Sequence, residues 1–178
     1  PPPDTYGSRT VAGLFAELSV PLVSPEMGVP LVRSLDLQVA GRAERYNDFG
    51  NVAKPKLALG WQIFDGLTLR SSWAKGFRAP SVQGRLLFAS AEAVANNGGV
   101  STADSEEVIS YEAGVKADLW DKRARLGFNV FRYGVNDQQI IAVGGGGNTA
   151  TLLNADKTLG QGFELDLEAY LTDNLLVT

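Results

Sequence analysis

Between Leu31 and Tyr46 the chain alternates apolar and polar positions through most of its length. Leu35, Leu37, Val39 and Ala43 occupy odd positions, and Ser34, Asp36, Gln38, Arg42 and Glu44 occupy even ones. A period of two sends successive side chains to opposite faces, so this segment reads as one long strand between two different environments. Soluble strands run to about five or six residues, whereas a tilted strand crossing a bilayer needs about nine to eleven. The length of this run fits the second case.

The same period recurs along the chain. Strands are expected over Arg9–Val20, Lys54–Phe64, Leu67–Phe77, Val108–Trp120, Ala124–Ile141 and Gly160–Leu171, with a further strand opening at Leu175. The Val108–Trp120 run is the clearest: Ile109, Tyr111, Ala113, Val115, Ala117 and Leu119 oppose Ser110, Glu112, Gly114, Lys116 and Asp118. The Ala124–Ile141 run is less regular, because Phe131 and Tyr133 share a face with Arg125, Gly127 and Asn129. Breaks at Asp65-Gly66, Asp121-Lys122-Arg123 and Thr172-Asp173-Asn174 are short, and Asp-Gly supplies the positive φ angles of a tight hairpin. Longer connections over 47–53, 79–107 and 142–151 alternate with them; the Pro21–Pro30 connection is longer than its place in this scheme requires. Short turns at one end and long loops at the other characterise outer-membrane barrels. Trp61, Phe64, Trp120 and Tyr170 gather beside the short turns, where an interfacial aromatic girdle is expected.

The fold class read from this pattern is all-β, with antiparallel transmembrane barrel strands. A soluble sandwich or lipocalin-like barrel also alternates, but its strands are shorter and its polar face meets bulk water. Composition is compatible with a barrel: hydrophobic residues make up 44% of the chain and mean hydropathy is near zero. Alternation hides lipid-facing residues from such averages. No run of about 18 apolar residues is present, so no transmembrane helix is expected. The net charge of -4 without a clustered basic patch argues against nucleic acid. The chain has no cysteine and no histidine, which removes disulfides, thiolate sites, most zinc sites and serine-type triads. No cofactor, metal or enzymatic activity is expected. Pro1-Pro-Pro-Asp4 does not resemble a secretory signal.

Four motifs carry a resemblance to a known family. Arg42-Ala-Glu-Arg-Tyr-Asn-Asp-Phe-Gly50 followed by Lys54-Pro-Lys-Leu57 is the first, and Leu69-Arg-Ser-Ser-Trp-Ala-Lys-Gly-Phe-Arg-Ala-Pro-Ser81 the second. Ser105-Glu-Glu-Val-Ile-Ser-Tyr-Glu-Ala-Gly-Val-Lys116 is the third. Asn154-Ala-Asp156 with Gln161-Gly-Phe-Glu-Leu165 is the fourth. In this order and spacing they resemble the latter part of the barrel of TonB-dependent outer-membrane receptors, whose fold is a barrel of about 22 strands with a plugged lumen. The resemblance implies that residues 1–178 are a partial barrel domain of about seven to eight strands without a plug domain. It also implies a Gram-negative outer-membrane location. Expected partners are membrane lipid, the plug of the same protein, the TonB complex acting through an N-terminal part, and a small ligand such as a ferric siderophore.

On that reading Arg42, Glu44, Arg70, Glu112, Lys116, Glu164 and Asp166 line the lumen, where opposite charges on neighbouring strands contribute about 0.2–1 kcal/mol each. Arg78 opens the longest loop, and with Gln83 and Arg85 it is a candidate ligand contact; a strand-end arginine paired with a loop carboxylate is the alternative. Gly144-Gly-Gly-Gly147 lacks the context of a phosphate loop. The adjacent Glu106 and Glu107 point to opposite faces of a strand and so do not form a catalytic pair. A complete eight-stranded outer-membrane barrel with a structural or adhesive role, and a soluble ligand-binding β domain, are the competing readings.

Overall fold

A computed structural model describes residues 8–48, 50–81, 105–143, 150–172 and 174–178. They form one antiparallel sheet whose strands lie in chain order: β1 (Val11–Val23), β2 (Ser34–Tyr46), β3 (Gly50–Phe64), β4 (Leu67–Arg78), β5 (Glu106–Leu119), β6 (Ala124–Val143), β7 (Ala150–Thr172) and β8 (Leu175–Val177). Among the described residues β1 pairs with β2 alone and β8 with β7 alone, so the sheet stays open.

The ladders carry the alternation of each strand across the sheet. One rung runs Ser19, Gln38, Ala58, Ser72, Glu112, Phe131, Gly162. A rung of opposite parity runs Leu35, Trp61, Leu69, Val115, Phe128, Leu165. Polar and apolar positions therefore sort onto two continuous faces, because a slip of one residue at any ladder would exchange them. Among the described residues no second layer covers the apolar face. The buried apolar side chains among the described residues are Ala124 and Ala169, while Leu14 is 75%, Phe163 73% and Leu165 63% exposed. A bare apolar face of this extent is unstable in water, where burial yields about 25 cal/mol per Å².

Three strands slip by one residue close to the short turns, between Pro21 and Val23, Gln62 and Phe64, and Tyr170 and Thr172. Such bulges turn a side chain to the other face at a sheet rim. After the second slip Phe64 pairs with Leu67 and joins the apolar side. The Asp65-Gly66 turn needs its glycine twice over. Gly66 has φ +86°, and a Cβ there would lie 3.2 Å from the Asp118 carbonyl oxygen, next to the 2.7 Å bond from Asp118 N–H to Gly66 O. The β5–β6 turn instead places Trp120, Asp121 and Lys122 at φ 52°, 53° and 69°.

The strands extend beyond several expected limits. β1 continues through Pro21, which is tolerated because the register with β2 slips there, between Pro21 and Val23. A 3-10 turn at Pro25–Met27 then leads toward β2, which starts at Ser34 rather than Leu31. β3 begins at Gly50 rather than Lys54, β5 at Glu106 rather than Val108, and β7 at Ala150 rather than Gly160. The connections after β2 and β6 therefore shrink to 47–49 and 144–149.

Candidate functional site

The polar face is built from every second residue of β2 to β7. Arg42, Glu44, Arg70, Glu112, Lys116, Glu164 and Asp166 all share it, as the ladder pairs Ser72↔Glu112, Thr68↔Lys116, Asn129↔Glu164 and Gly127↔Asp166 require. Arg42 Nε donates to Glu44 Oε1 at 2.5 Å, and Tyr46 Oη donates to Glu44 Oε2 at 2.6 Å, so Glu44 is bonded from both sides and buried. Arg70 reaches across β5 to β6, with Nη2 donating to Asn129 Oδ1 at 2.6 Å. It crosses at Gly114, where a Cβ would collide with Asn129 Oδ1 and lie 3.0 Å from the Phe128 carbonyl oxygen. Arg125 and Asp118, directly opposite each other, form an ion pair at 3.3 Å. Glu112, Lys116, Glu164 and Asp166 form no ion pair among the described residues.

The irregularity of β6 has a physical cause. Phe131 and Tyr133 stand opposite Gly162 and Gly160, and a Cβ on Gly162 would lie 2.8 Å from Phe131 Cζ. The two rings are nearly parallel, at 13° with centroids 6.4 Å apart. Glycines in the neighbouring strand make room for aromatic rings on an otherwise polar face.

At the long-loop end the stems are tied by charged side chains. Arg78 Nη2 donates to Glu106 Oε1, joining the end of β4 to the start of β5. The same carboxylate oxygen accepts from the Gln139 backbone N–H at 2.7 Å, just past Asp137, which has φ +54°. Glu106 is buried, at 6% exposure. Glu107 is held by Lys54 Nζ at 2.5 Å, which also lies 5.8 Å from the Phe77 ring centroid. Beyond it, Arg9 bonds Asp48 at 2.8 Å and donates to the Pro80 carbonyl, while stacking over the Tyr46 ring at 5.6 Å. Arg78 thus takes a carboxylate within the stem, and Gln83 and Arg85 lie outside the described residues. Replacing Glu106 by Ala removes an acceptor from both Arg78 and Gln139 N–H, at a local cost of about 1–3 kcal/mol. Trypsin cleavage after Arg85 in the intact protein is then expected to speed up, while Glu106→Gln, which keeps an acceptor, has a smaller effect. Equal cleavage rates in all three proteins would show that Glu106 does not hold the stem.

At the other end Trp61 Nε1 donates to the Leu31 carbonyl at 3.0 Å, and Trp120 is 72% exposed in its turn. Tyr170 precedes its bulge and keeps the parity of Glu168 and Asp166, on the polar face. Trp73 and Tyr111 stand opposite each other in the β4–β5 ladder, on the apolar face nearer the long loops, a juxtaposition that the sequence pattern did not single out. Among the described residues no group of acidic side chains is arranged to hold a metal ion.

The family model for the TonB-dependent receptor-like β-barrel matches residues 1–178. The chain belongs to this family. No curated protein matches it significantly. Among solved structures, the siderophore receptor PirA from Pseudomonas aeruginosa is 19% identical and superposes with a TM-score of 0.75, over 94% of this chain and 30% of its own. A mutant of the ferric enterobactin receptor PfeA from Pseudomonas aeruginosa, in complex with enterobactin, is 18% identical with a TM-score of 0.70, over 94% of this chain and 26% of its own. The FrpB iron transporter from Neisseria meningitidis is 15% identical with a TM-score of 0.63, over 92% of this chain and 24% of its own. This TonB-dependent receptor barrel chain thus spans less than a third of the length of these structures, and its sheet is of their barrel type.

Proposed function

We propose that this chain forms wall and loop stems of an outer-membrane receptor for active uptake of a scarce ligand such as a ferric siderophore. The observation that carries this reading is the split between a mainly polar face and a mainly apolar face left uncovered among the described residues, carried by the ladders from β1 to β7. The apolar face meets lipid, and the polar face lines a hydrated lumen occupied by a plug. Arg42, Glu44, Arg70, Glu112, Lys116, Glu164 and Asp166 hydrate that lumen and meet the plug, and the stem around Arg78 carries the loop that meets ligand. Trp61, Phe64 and Trp120 lie at the membrane interface near the short turns. TonB acts on the plug, not on this wall, and the role is transport without catalysis. A small closed eight-stranded barrel is disfavoured, because among the described residues β1 and β8 do not pair and lipid does not tolerate open edges.

The test is uptake of iron from ferric enterobactin, and from a panel of other ferric chelates, by cells that carry the intact protein as their sole receptor of this class. Uptake of at least one chelate is expected in TonB-proficient cells and is lost when TonB is deleted. Uptake that is independent of TonB would overturn the proposal.

A further inference from the structure

Of the connections at the short-turn end, the one between β1 and β2 is the longest, running over 24–33. It is also apolar: in Ser24-Pro-Glu-Met-Gly-Val-Pro-Leu-Val32 the one charged side chain is Glu26. The neighbouring connections, Asp65-Gly66 and Asp121-Lys122-Arg123, are charged. A turn that meets only water gains nothing from such a composition. The apolar side chains are nevertheless displayed, with Met27 and Val29 exposed and Leu31 72% exposed.

The connection has a defined geometry. Gly28 N–H bonds Pro25 O at 3.3 Å, and Val32 N–H bonds Val29 O at 3.2 Å, closing two successive turns. Pro30 and Leu31 form the centre of the second, with Leu31 at φ +60°. Glycine is the ordinary occupant of a left-handed position in such a turn, and a leucine takes it at a steric cost. Trp61 Nε1 donates to the Leu31 carbonyl at 3.0 Å, and Arg33 N–H to Gln62 O at 2.8 Å, so the turn is seated on the end of β3. Trp61 belongs to the apolar rung with Leu35 and Leu69. The slip at the end of β1 sets Val23 opposite Leu35, on that same face. The connection therefore sits against the apolar side of the rim.

We propose that this connection anchors the wall in the headgroup layer of the periplasmic leaflet, with Met27, Val29 and Leu31 inserted among the phospholipids. The short turns of such barrels lie at the periplasmic end. Apolar side chains lying in a membrane interface reach about 5–10 Å into the boundary between headgroups and acyl chains, and the Trp61 indole marks that level. Glu26 and the Arg33–Asp65 ion pair, at 3.0 Å, keep the connection from sinking past the headgroups. A lipid surface is the occupant because the patch continues the face that meets lipid, whereas the plug lies behind the polar face. The inference rests on the outer-membrane reading above.

The experiment places a bimane fluorophore on single cysteines of the intact protein, freed of any cysteine outside this chain and reconstituted in phosphatidylethanolamine and phosphatidylglycerol. Labels at Met27→Cys and Val29→Cys are compared with two others. Thr68→Cys lies at the same end on the polar face, and Val115→Cys in the middle of the apolar face. The quenchers are iodide on both sides of the bilayer and phospholipids with a nitroxide either near the headgroup or deep in the acyl chain. At 27 and 29 the shallow nitroxide is expected to quench about twofold more than at 68, and more than the deep one does. Val29→Gln with Leu31→Gln is expected to remove most of that excess at 27. Quenching at 27 and 29 by iodide alone would overturn the proposal. So would shielding from every quencher, which would put protein over the patch, or unchanged quenching in the double glutamine variant. Any of these results beside a lipid-quenched label at 115 defeats this inference alone, whereas a label at 115 that no lipid quenches defeats the reading beneath it.

Discussion

Val115→Arg in the intact protein is expected to lower its stability by about 2–4 kcal/mol, the cost of a cation at the midplane of a lipid-facing barrel surface. Val115 lies between Leu69 and Phe128 on the apolar face, in the middle of the band. Ser72→Arg is the matched control. It adds the same side chain on the adjoining strand, on the polar face opposite Glu112, and is expected to change stability by no more than about 0.5 kcal/mol. Denaturant midpoints of the two variants, reconstituted in the same lipid, make the comparison. Similar costs at both positions would mean that the two faces are not in different solvents.

Gly114 provides the second large effect. Gly114→Ala drives a Cβ into Asn129 Oδ1 and to 3.0 Å from the Phe128 carbonyl oxygen. The first contact can be relieved by moving a side chain, but the second involves the backbone of the neighbouring strand. Overpacking of this kind costs about 1–3 kcal/mol. Adding Asn129→Ala removes the side-chain clash, so the double variant is expected to be more stable than Gly114→Ala alone. Asn129→Ala by itself forfeits the bridge to Arg70 and is expected to be mildly destabilising. Additive losses in the double variant would show that Gly114 does not serve the Arg70–Asn129 crossing.

The alternation was legible in the sequence wherever the two faces meet different solvents. The strands of residues 108–120 and 31–46 could be read for that reason. The first ten residues of β7 could not, because Asn154, Asp156, Lys157 and Thr158 are polar on both sides. Their strand exists because β6 pairs with them up to Val143↔Ala150, a contact that no local pattern records. The rim aromatics show a finer limit. Phe64 follows a one-residue slip and turns to the apolar side, whereas Tyr170 precedes one and stays with the acids. The position of a bulge decides between these outcomes, and composition does not reveal it.

The polar-face charges were readable because parity alone assigns them. Their partners were not, since Arg78 meets Glu106 across 28 positions and Lys54 meets Glu107 across 53. Nor was the backbone N–H of Gln139 legible as a further partner of Glu106.

The central claim is that successive residues of one strand face lipid and lumen in turn. This chain contains no cysteine, so single cysteines from Ile109 to Ala117 can each carry a nitroxide label in the intact protein in bilayers. Collision with dissolved oxygen, which concentrates in hydrocarbon, is predicted to peak at positions 109, 111, 113, 115 and 117 and to fall at the positions between. A profile without a period of two, or one with its maxima at the even positions, would contradict the account.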